Sequence, residues 1–438
     1  MTPVDALPPS QLPMSRRSMA IAAFSTVVEW YDFTLYLFLA TVLSRVFYGG
    51  GEGSLVATLA GFAVAYLMRP LGAVVFGHFG DRFGRRPMML ISVGMMTAAM
   101  LATALLPPQS AIGPAAGWSL LALRCIMGFA VGGEYTGVVA YLMEGAPPRR
   151  RGLVASLASA ASEVGALLAV AVSALTVHAL SQADMDAWGW RIPFLFGSAL
   201  ALGVWLARST MQESPDFERQ RALDTIPRQP LRYALAHHRT GILRGFAISA
   251  LGSITYYVGI TYVPAYLTSV GRMGEALALW MATVAAVVVI AITPLVGALS
   301  DRVGRRPVLV GLALMSAILP ATLFSVMANG SQLQALLGAV ALAAVAAGVS
   351  AVGAVSTAEQ FPGEGRLTGL ALGATTATAF FGGLTPYVAQ IVIERTGWAM
   401  TPGIMIAIVG LCVLPLLISM PETAPAKCPL REPYAGRG

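Results

Sequence analysis

The chain has 438 residues, 56% of them hydrophobic and 11% charged, with a mean hydropathy of +0.72. This composition excludes an ordinary soluble domain, and apolar stretches of about 20 residues or more, the length of a bilayer-crossing helix, also exclude a strand-built barrel. The net charge of +7 does not point to nucleic acid, because the arginines sit in short loops between apolar runs and form no single basic face.

The first apolar run follows Arg16 and Arg17 and reads STVVEWYDFTLYLFLATVL over residues 25–43. It outlasts a signal-peptide core and carries two acids, so an uncleaved first helix is expected over 17–41. Apolar length and polar breaks predict further helices over 53–76, 87–106, 113–144, 152–178, 189–209, 242–269, 274–298, 306–327, 332–360, 365–393 and 399–419, twelve in all. Most Lys and Arg then fall on the side of the termini and the central loop. Arg45, Arg191, Arg272 and Arg395 lie opposite, and Arg69 and Arg124 lie within helices. The positive-inside rule therefore places both termini in the cytoplasm. The widest hydrophilic gap, starting at Arg208, separates helices six and seven. The expected organisation is a six-helix bundle over 1–209, a cytoplasmic linker over 210–241, a second bundle over 242–420 and a tail over 421–438.

An internal repeat supports the bisection. GHFGDRFGRRP at 77–87 returns as GALSDRVGRRP at 297–307, and EGAPPRRRG from Glu144 is echoed by EQFPGEGRL from Glu359. Two motifs duplicated in the same order imply two related, pseudo-symmetric halves.

With this duplication in view, the chain resembles the major facilitator superfamily over nearly its full length, the G-x-x-x-D-R-x-G-R-R stretch between helices two and three being similar to that superfamily's loop signature. The segments EWYDF at 29–33, LMRPLGA at 67–73, GGEYTG at 132–137, WGWRIPF at 188–194 and GGLTP at 382–386 resemble its metabolite:proton symporter subfamily, which includes proline/betaine, citrate, 2-oxoglutarate and shikimate carriers. Where that family's fourth helix often reads Arg-x-x-Gln-Gly, this chain has RCIMG, so Met127 stands in place of the amide. The implied fold is all-α and integral to the membrane, with twelve transmembrane helices in two six-helix bundles.

Glu29 and Asp32, three apart, share a helix face. An ionised carboxylate in a bilayer costs about 2.5 to 3.5 kcal/mol on insertion scales, so both are expected to face a wet cavity or a cationic partner, as proton or substrate groups or as fixed ion pairs. Arg124 is placed deep in the fourth helix, where its fork suits a substrate carboxylate or an interhelical lock. Glu134 lies ten residues on, about 15 Å along the helix, too far to pair with it directly. Tyr135, Glu163 and Tyr257 complete the candidate proton and substrate residues. The glycines of GGEYTG read as close-packing positions. His78, His178, His237 and His238 fall at helix ends or in loops, so carboxylates are expected to carry any proton.

In the duplicated loops Asp81 and Asp301 sit where a carboxylate caps a neighbouring helix, and nearby arginines can reach Glu144, Glu213 or Glu359. The resemblance implies that Asp81, Arg82, Arg85, Arg86, Glu144, Arg151 and Glu213, with Asp301, Arg302, Arg305, Arg306, Glu359 and Arg366, form gating contacts that hold an outward-facing state.

Cys125, Cys412 and Cys428 lack metal-ligand spacing and read as small buried residues, and no cofactor or metal is implied. No enzyme constellation is found. The expected function is proton-coupled symport of a small carboxylate-bearing metabolite, by alternating access, in the cytoplasmic membrane of a bacterium. Its expected partners are that substrate, protons and the lipid bilayer, with no nucleic acid, and a monomer is expected. The alternatives are an exporter of drugs or siderophores with the same fold, and a non-transporting receptor, which the short tail disfavours.

Overall fold

A computed structural model describes residues 14–51, 54–425 and 427; most of the expected tail, and Cys428 with it, lies outside the described residues. The described chain is helical, with no strand among its described residues. Ten helices are long and apolar enough to cross a membrane, and twelve spans result if each of two bent pairs counts as one. The twelve-helix reading therefore holds, with shifted boundaries.

The first span is α1 (Arg16–Phe38), capped by the Ser15 hydroxyl, and α2 (Ala40–Tyr48), bent by 68° at Leu39. Beyond the bend, Arg45 forks Asp186 with Nε and Nη2 donating at 2.8 and 2.7 Å. Next come α3 (Ser54–Phe83) and α4 (Arg85–Leu105), separated by Gly84 alone. The D-R motif was expected in a loop; the structure instead continues the helix through Asp81 and Arg82 and turns at a glycine with φ of 115°, a conformation that side chains resist. Gly304 repeats the device at φ 120°.

The fourth span breaks at Gly133 into α5 (Ala115–Gly132) and α6 (Glu134–Gly145). α5 packs directly on α3. A Cβ on Gly128 or Gly132 would collide with the backbone oxygen of Ala65 or Arg69, so these glycines set the close approach and fix the backbone from which Arg69 projects.

The chain continues through α7 (Arg151–Ala179) and α8 (Arg191–Ser209) into the central gap. This gap was expected as a linker loop, yet it carries two short helices, α9 (Pro215–Ala222) and α10 (Pro230–His237), each with proline at its first turn, where a missing N–H costs nothing. The seventh span joins α11 (Arg239–Tyr256) to α12 (Val263–Ser269) through a π-turn at Tyr257–Thr261, bent by 44°. Pro264, unable to donate to the preceding turn, follows the bend. The remaining spans are α13 (Glu275–Val303), α14 (Arg305–Asn329), α15 (Gln332–Ala358), a run from α16 (Arg366–Leu370) through π-turns to α17 (Thr385–Thr396), and α18 (Thr401–Ser419). Cys412 on α18 is exposed and Cys125 half-buried, so neither is the fully buried residue expected. A surface facing lipid accepts a thiol as readily as a core does.

By packing, the chain forms two compact units. One takes residues up to Gly145, Ala158–Ile242 and Phe361–Ala379; the other takes Ala146–Leu157, Leu243–Gln360 and the residues from Phe380 on. Each unit thus includes one short segment from the opposite half of the sequence repeat.

Candidate functional site

Within the first unit, α1 turns a single polar stripe, Ser25, Glu29 and Asp32, toward arginines from three other helices. Asp32 Oδ2 accepts from Arg124 Nη1 of α5 at 2.7 Å, and Arg124 Nη2 also donates to Thr103 Oγ1 at 3.1 Å. Glu29 Oε1 lies 3.5 Å from Arg69 Nη2 of α3. Both carboxylates are about 2% exposed, and each keeps one oxygen, Glu29 Oε2 and Asp32 Oδ1, buried without a hydrogen-bond partner. These four charged groups line one cavity of about 40 Å³, room for a few waters. Its remaining walls include Phe33, Tyr36, Phe62 and Tyr66, with Met127 supplying an apolar surface. The Arg69 guanidinium stands 5.0 and 4.7 Å from the Phe33 and Tyr66 rings, and that of Arg124 stands 5.3 Å from Tyr36.

Glu134 is not brought into this cavity. It pairs with Arg208 at the end of α8, whose Nη2 donates to Glu134 Oε1 and Ser25 Oγ and whose Nη1 donates to Glu134 Oε2 at 3.0 Å and to Met89 O at 2.8 Å. Ser92 Oγ adds a bond of 2.6 Å to Glu134 Oε2. One guanidinium thereby joins α1, α4, α6 and α8. Tyr135 turns away from Glu134 to share a 2.7 Å hydrogen bond with Ser159 of α7, and Glu163 is buried on α7 apart from the cavity lining. Tyr257 belongs to the second unit, at its π-turn.

The duplicated motifs build two matching interlocks, one in each unit. In the first, Asp81 accepts from the backbone N–H of Leu367 and Thr368 at 3.2 and 2.8 Å, capping α16. In the second, Asp301 accepts from Gly152 and Leu153 at 2.8 and 2.9 Å, capping α7. The positive end of a helix dipole favours such a carboxylate. Arg85, fully buried, forks Glu144 at 3.2 and 3.1 Å, and Arg366 reaches the same carboxylate at 2.6 Å and Asp216 at 3.1 Å. Arg305 repeats the fork on Glu359 at 3.2 and 3.4 Å. Glu213 takes the backbone N–H groups of Arg85 and Arg86 at the start of α4, at 2.9 and 3.2 Å. Burial pushes the Glu213 carboxyl up, and the N–H donors of Ser214 and Arg86 pull against it. Arg151, at the start of α7, is half-buried. Arg82 and Arg302 are exposed and lie outside both interlocks, and Arg306 joins through its backbone N–H alone.

Three residues escaped the sequence reading. Glu422 accepts from Arg305 N and Arg306 N at 2.8 and 3.1 Å, as Glu213 does in the other unit. The signal was present as a third repeat, MQES at 211–214 against MPET at 420–423. Arg208 sits at the edge of an apolar run and was sorted with the loops. Arg69 was placed in a helix, but its Glu29 partner depends on the α1–α3 arrangement.

The Sugar (and other) transporter family matches residues 18–224, and the Major Facilitator Superfamily matches residues 272–434. Among curated relatives, the chain is 32% identical to the ectoine/proline transporter ProP of Corynebacterium glutamicum, covering 95% of this chain and 88% of that one. It is 34% identical to the alpha-ketoglutarate permease of Escherichia coli, over 85% and 87%, and 31% identical to the citrate-proton symporter of Klebsiella pneumoniae, over 88% and 87%. Its fold matches that of the proton:xylose symporter XylE with a TM-score of 0.78 at 20% identity, covering 93% of this chain and 96% of that one.

Proposed function

The chain belongs to the major facilitator superfamily, in the branch that resembles metabolite:proton symporters, and from that premise we propose that this multi-pass secondary transporter couples entry of a small carboxylate-bearing metabolite to protons. The observation that carries the reading is the buried Asp32–Arg124 pair, which keeps an unpartnered carboxylate oxygen against a small cavity. Arginine holds its charge at any working pH, whereas a buried carboxylate can exchange a proton. When Asp32 takes a proton, the attraction holding Arg124 falls away, and the guanidinium can fork a substrate carboxylate instead. Loss of the proton lets Asp32 reclaim Arg124 and expel the cargo. An unloaded site with Asp32 neutral would strand Arg124 as an uncompensated buried charge, which opposes slippage without cargo.

In this reading the Asp81 and Asp301 caps and the Arg366–Glu144 pair, each joining a residue of the half 1–209 to one of the half 242–420, are the gating contacts that part during transport, while the Arg85–Glu144 and Arg305–Glu359 forks, each within one half, hold the partners in position. Both termini face the cytoplasm, where the positive-inside rule puts them, and a single chain carries the whole path. Names among the relatives, a citrate-proton symporter and an alpha-ketoglutarate permease beside an ectoine/proline transporter, support a carboxylate-bearing cargo.

Proteoliposomes carrying Asp32→Asn test the switch. With labelled 2-oxoglutarate, citrate, proline and glycine betaine as probes, the variant is expected to keep exchange of internal for external cargo while losing accumulation driven by a proton gradient, at least tenfold. Undiminished gradient-driven accumulation in this variant would refute the assignment.

A further inference from the structure

Arg124 has two hydrogen-bond partners among the described residues, and they differ in kind. Asp32 Oδ2 accepts from Nη1 at 2.7 Å and can be neutralised by a proton, whereas Thr103 Oγ1 accepts from Nη2 at 3.1 Å and carries no charge at any working pH. Thr103 is fully buried, and its hydroxyl donates at 2.8 Å to the carbonyl of Ala99, one turn back on α4. With its proton committed there, the oxygen turns its lone pairs to Arg124 and serves as an acceptor alone. The contact lies in the last turn of α4, where the carbonyl end of a helix favours a cation. The Tyr36 and Phe194 rings stand 5.3 and 5.8 Å from the same guanidinium, and aromatic faces steady a flat cation.

Resting on the symport reading above, we propose that Thr103 is a positioning residue of the switch, which keeps hold of Arg124 after Asp32 has taken a proton and before a cargo carboxylate arrives. A buried cation short of acceptors is costly, so the proton-loaded, empty site is an unfavourable state. Of the two partners, only Thr103 persists in it unchanged. Its hydroxyl therefore contributes more there than in the ionised site, where Asp32 already satisfies the guanidinium, and this difference makes the proton-loaded site accessible. Other charged groups surround the pair. Glu29 of α1 and Arg69 of α3 share its cavity, Glu134 of α6 and Arg208 of α8 are clamped to each other, Glu163 is buried on α7, and Arg191 of α8 donates at 3.3 Å to Leu106 O, just past the end of α4. None of them hydrogen-bonds to Thr103, so they form a common background against which the wild type and Thr103 variants are compared.

The test follows ligand-induced thermal stabilisation of the purified full chain between pH 5.5 and 8.5, with 2-oxoglutarate, proline and glycine betaine as probes, together with labelled uptake at limiting concentration into proteoliposomes. Thr103→Val keeps the shape of the side chain and loses the hydroxyl. It is expected to move the pH above which binding weakens about one unit lower and to slow uptake about tenfold, the low end for a hydrogen bond to a charged group. At pH 8.5 the melting temperature of its empty form is expected to stay close to the wild type, since Asp32 still holds Arg124 there. Thr103→Ser, which restores the acceptor, is expected to return both the pH profile and the rate, and Thr103→Ala takes the place of Thr103→Val where the latter fails to fold. A packing role alone would lower the melting temperature at every pH and leave the profile where it is. An unshifted profile in the variant without the hydroxyl, or no recovery in Thr103→Ser, would overturn the role of Thr103 and leave the symport reading standing. A wild type that binds none of the probes, or binds them with no dependence on pH, would remove the symport reading and this role with it.

Discussion

Arg124→Ala is expected to abolish gradient-driven uptake and to weaken carboxylate binding by about 100-fold, the equivalent of roughly 3 kcal/mol for truncating one partner of a buried, hydrogen-bonded charge pair. The loss has two sources. The fork that receives the cargo is gone, and Asp32, 2% exposed, is left without the cation that donates to its Oδ2 at 2.7 Å. Arg124→Lys is expected to recover little, because an ammonium on a flexible stem cannot donate two parallel bonds to a carboxylate. Adding Asp32→Asn to Arg124→Ala is expected to raise the melting temperature above that of Arg124→Ala alone without restoring binding, since the stranded charge is removed but the fork is not replaced. Binding equal to the wild type in Arg124→Ala would remove this residue from the site.

The second large effect is on stability. Arg208→Ala is expected to cost about 3–5 kcal/mol, because Glu134, fully buried, would keep only the Ser92 hydroxyl against its charge. The same substitution unties the junction of α1, α4, α6 and α8. Thermal melting in detergent, with and without a companion Glu134→Gln, separates the two contributions. The companion change is expected to return part of the stability by removing the unpaired charge, and an Arg208→Ala protein melting within a degree of the wild type would show that this clamp contributes little.

The contrast between Arg124 and Arg208 shows where sequence reasoning reached and where it stopped. Helix number and the duplicated halves were legible because bilayer thickness imposes a length on every apolar run, and the D-R-x-G-R-R repeat survives as letters. Helix ends were less legible, since α3 and α13 continue past the apolar stretch until Gly84 and Gly304 stop them. In the site, the shared face of Glu29 and Asp32 followed from helical spacing alone, and a cationic partner followed from the cost of burying charge. Which arginine meets which acid did not follow, because pairing depends on how α1, α3, α5 and α8 pack. Glu134 looked equivalent to Glu29 and Asp32 by residue type and apolar surroundings, yet the turn at Gly133 and the end of α8 place it in a clamp outside the cavity. Glu422 was missed for another reason. Its repeat with Glu213 is only four residues long, and the role of both, accepting the first N–H groups of α4 and α14, is carried by backbone geometry.

The central claim, that a proton moves with the cargo through the Asp32–Arg124 switch, is tested most directly by following lumenal pH and labelled uptake together in proteoliposomes with the membrane potential clamped. Addition of the best-stabilising carboxylate outside, with no imposed pH gradient, is expected to acidify the lumen in step with uptake in the wild type and to leave lumenal pH unchanged in Asp32→Asn. Wild-type uptake that proceeds with no lumenal acidification, and at the same rate after the proton gradient is collapsed, would contradict it.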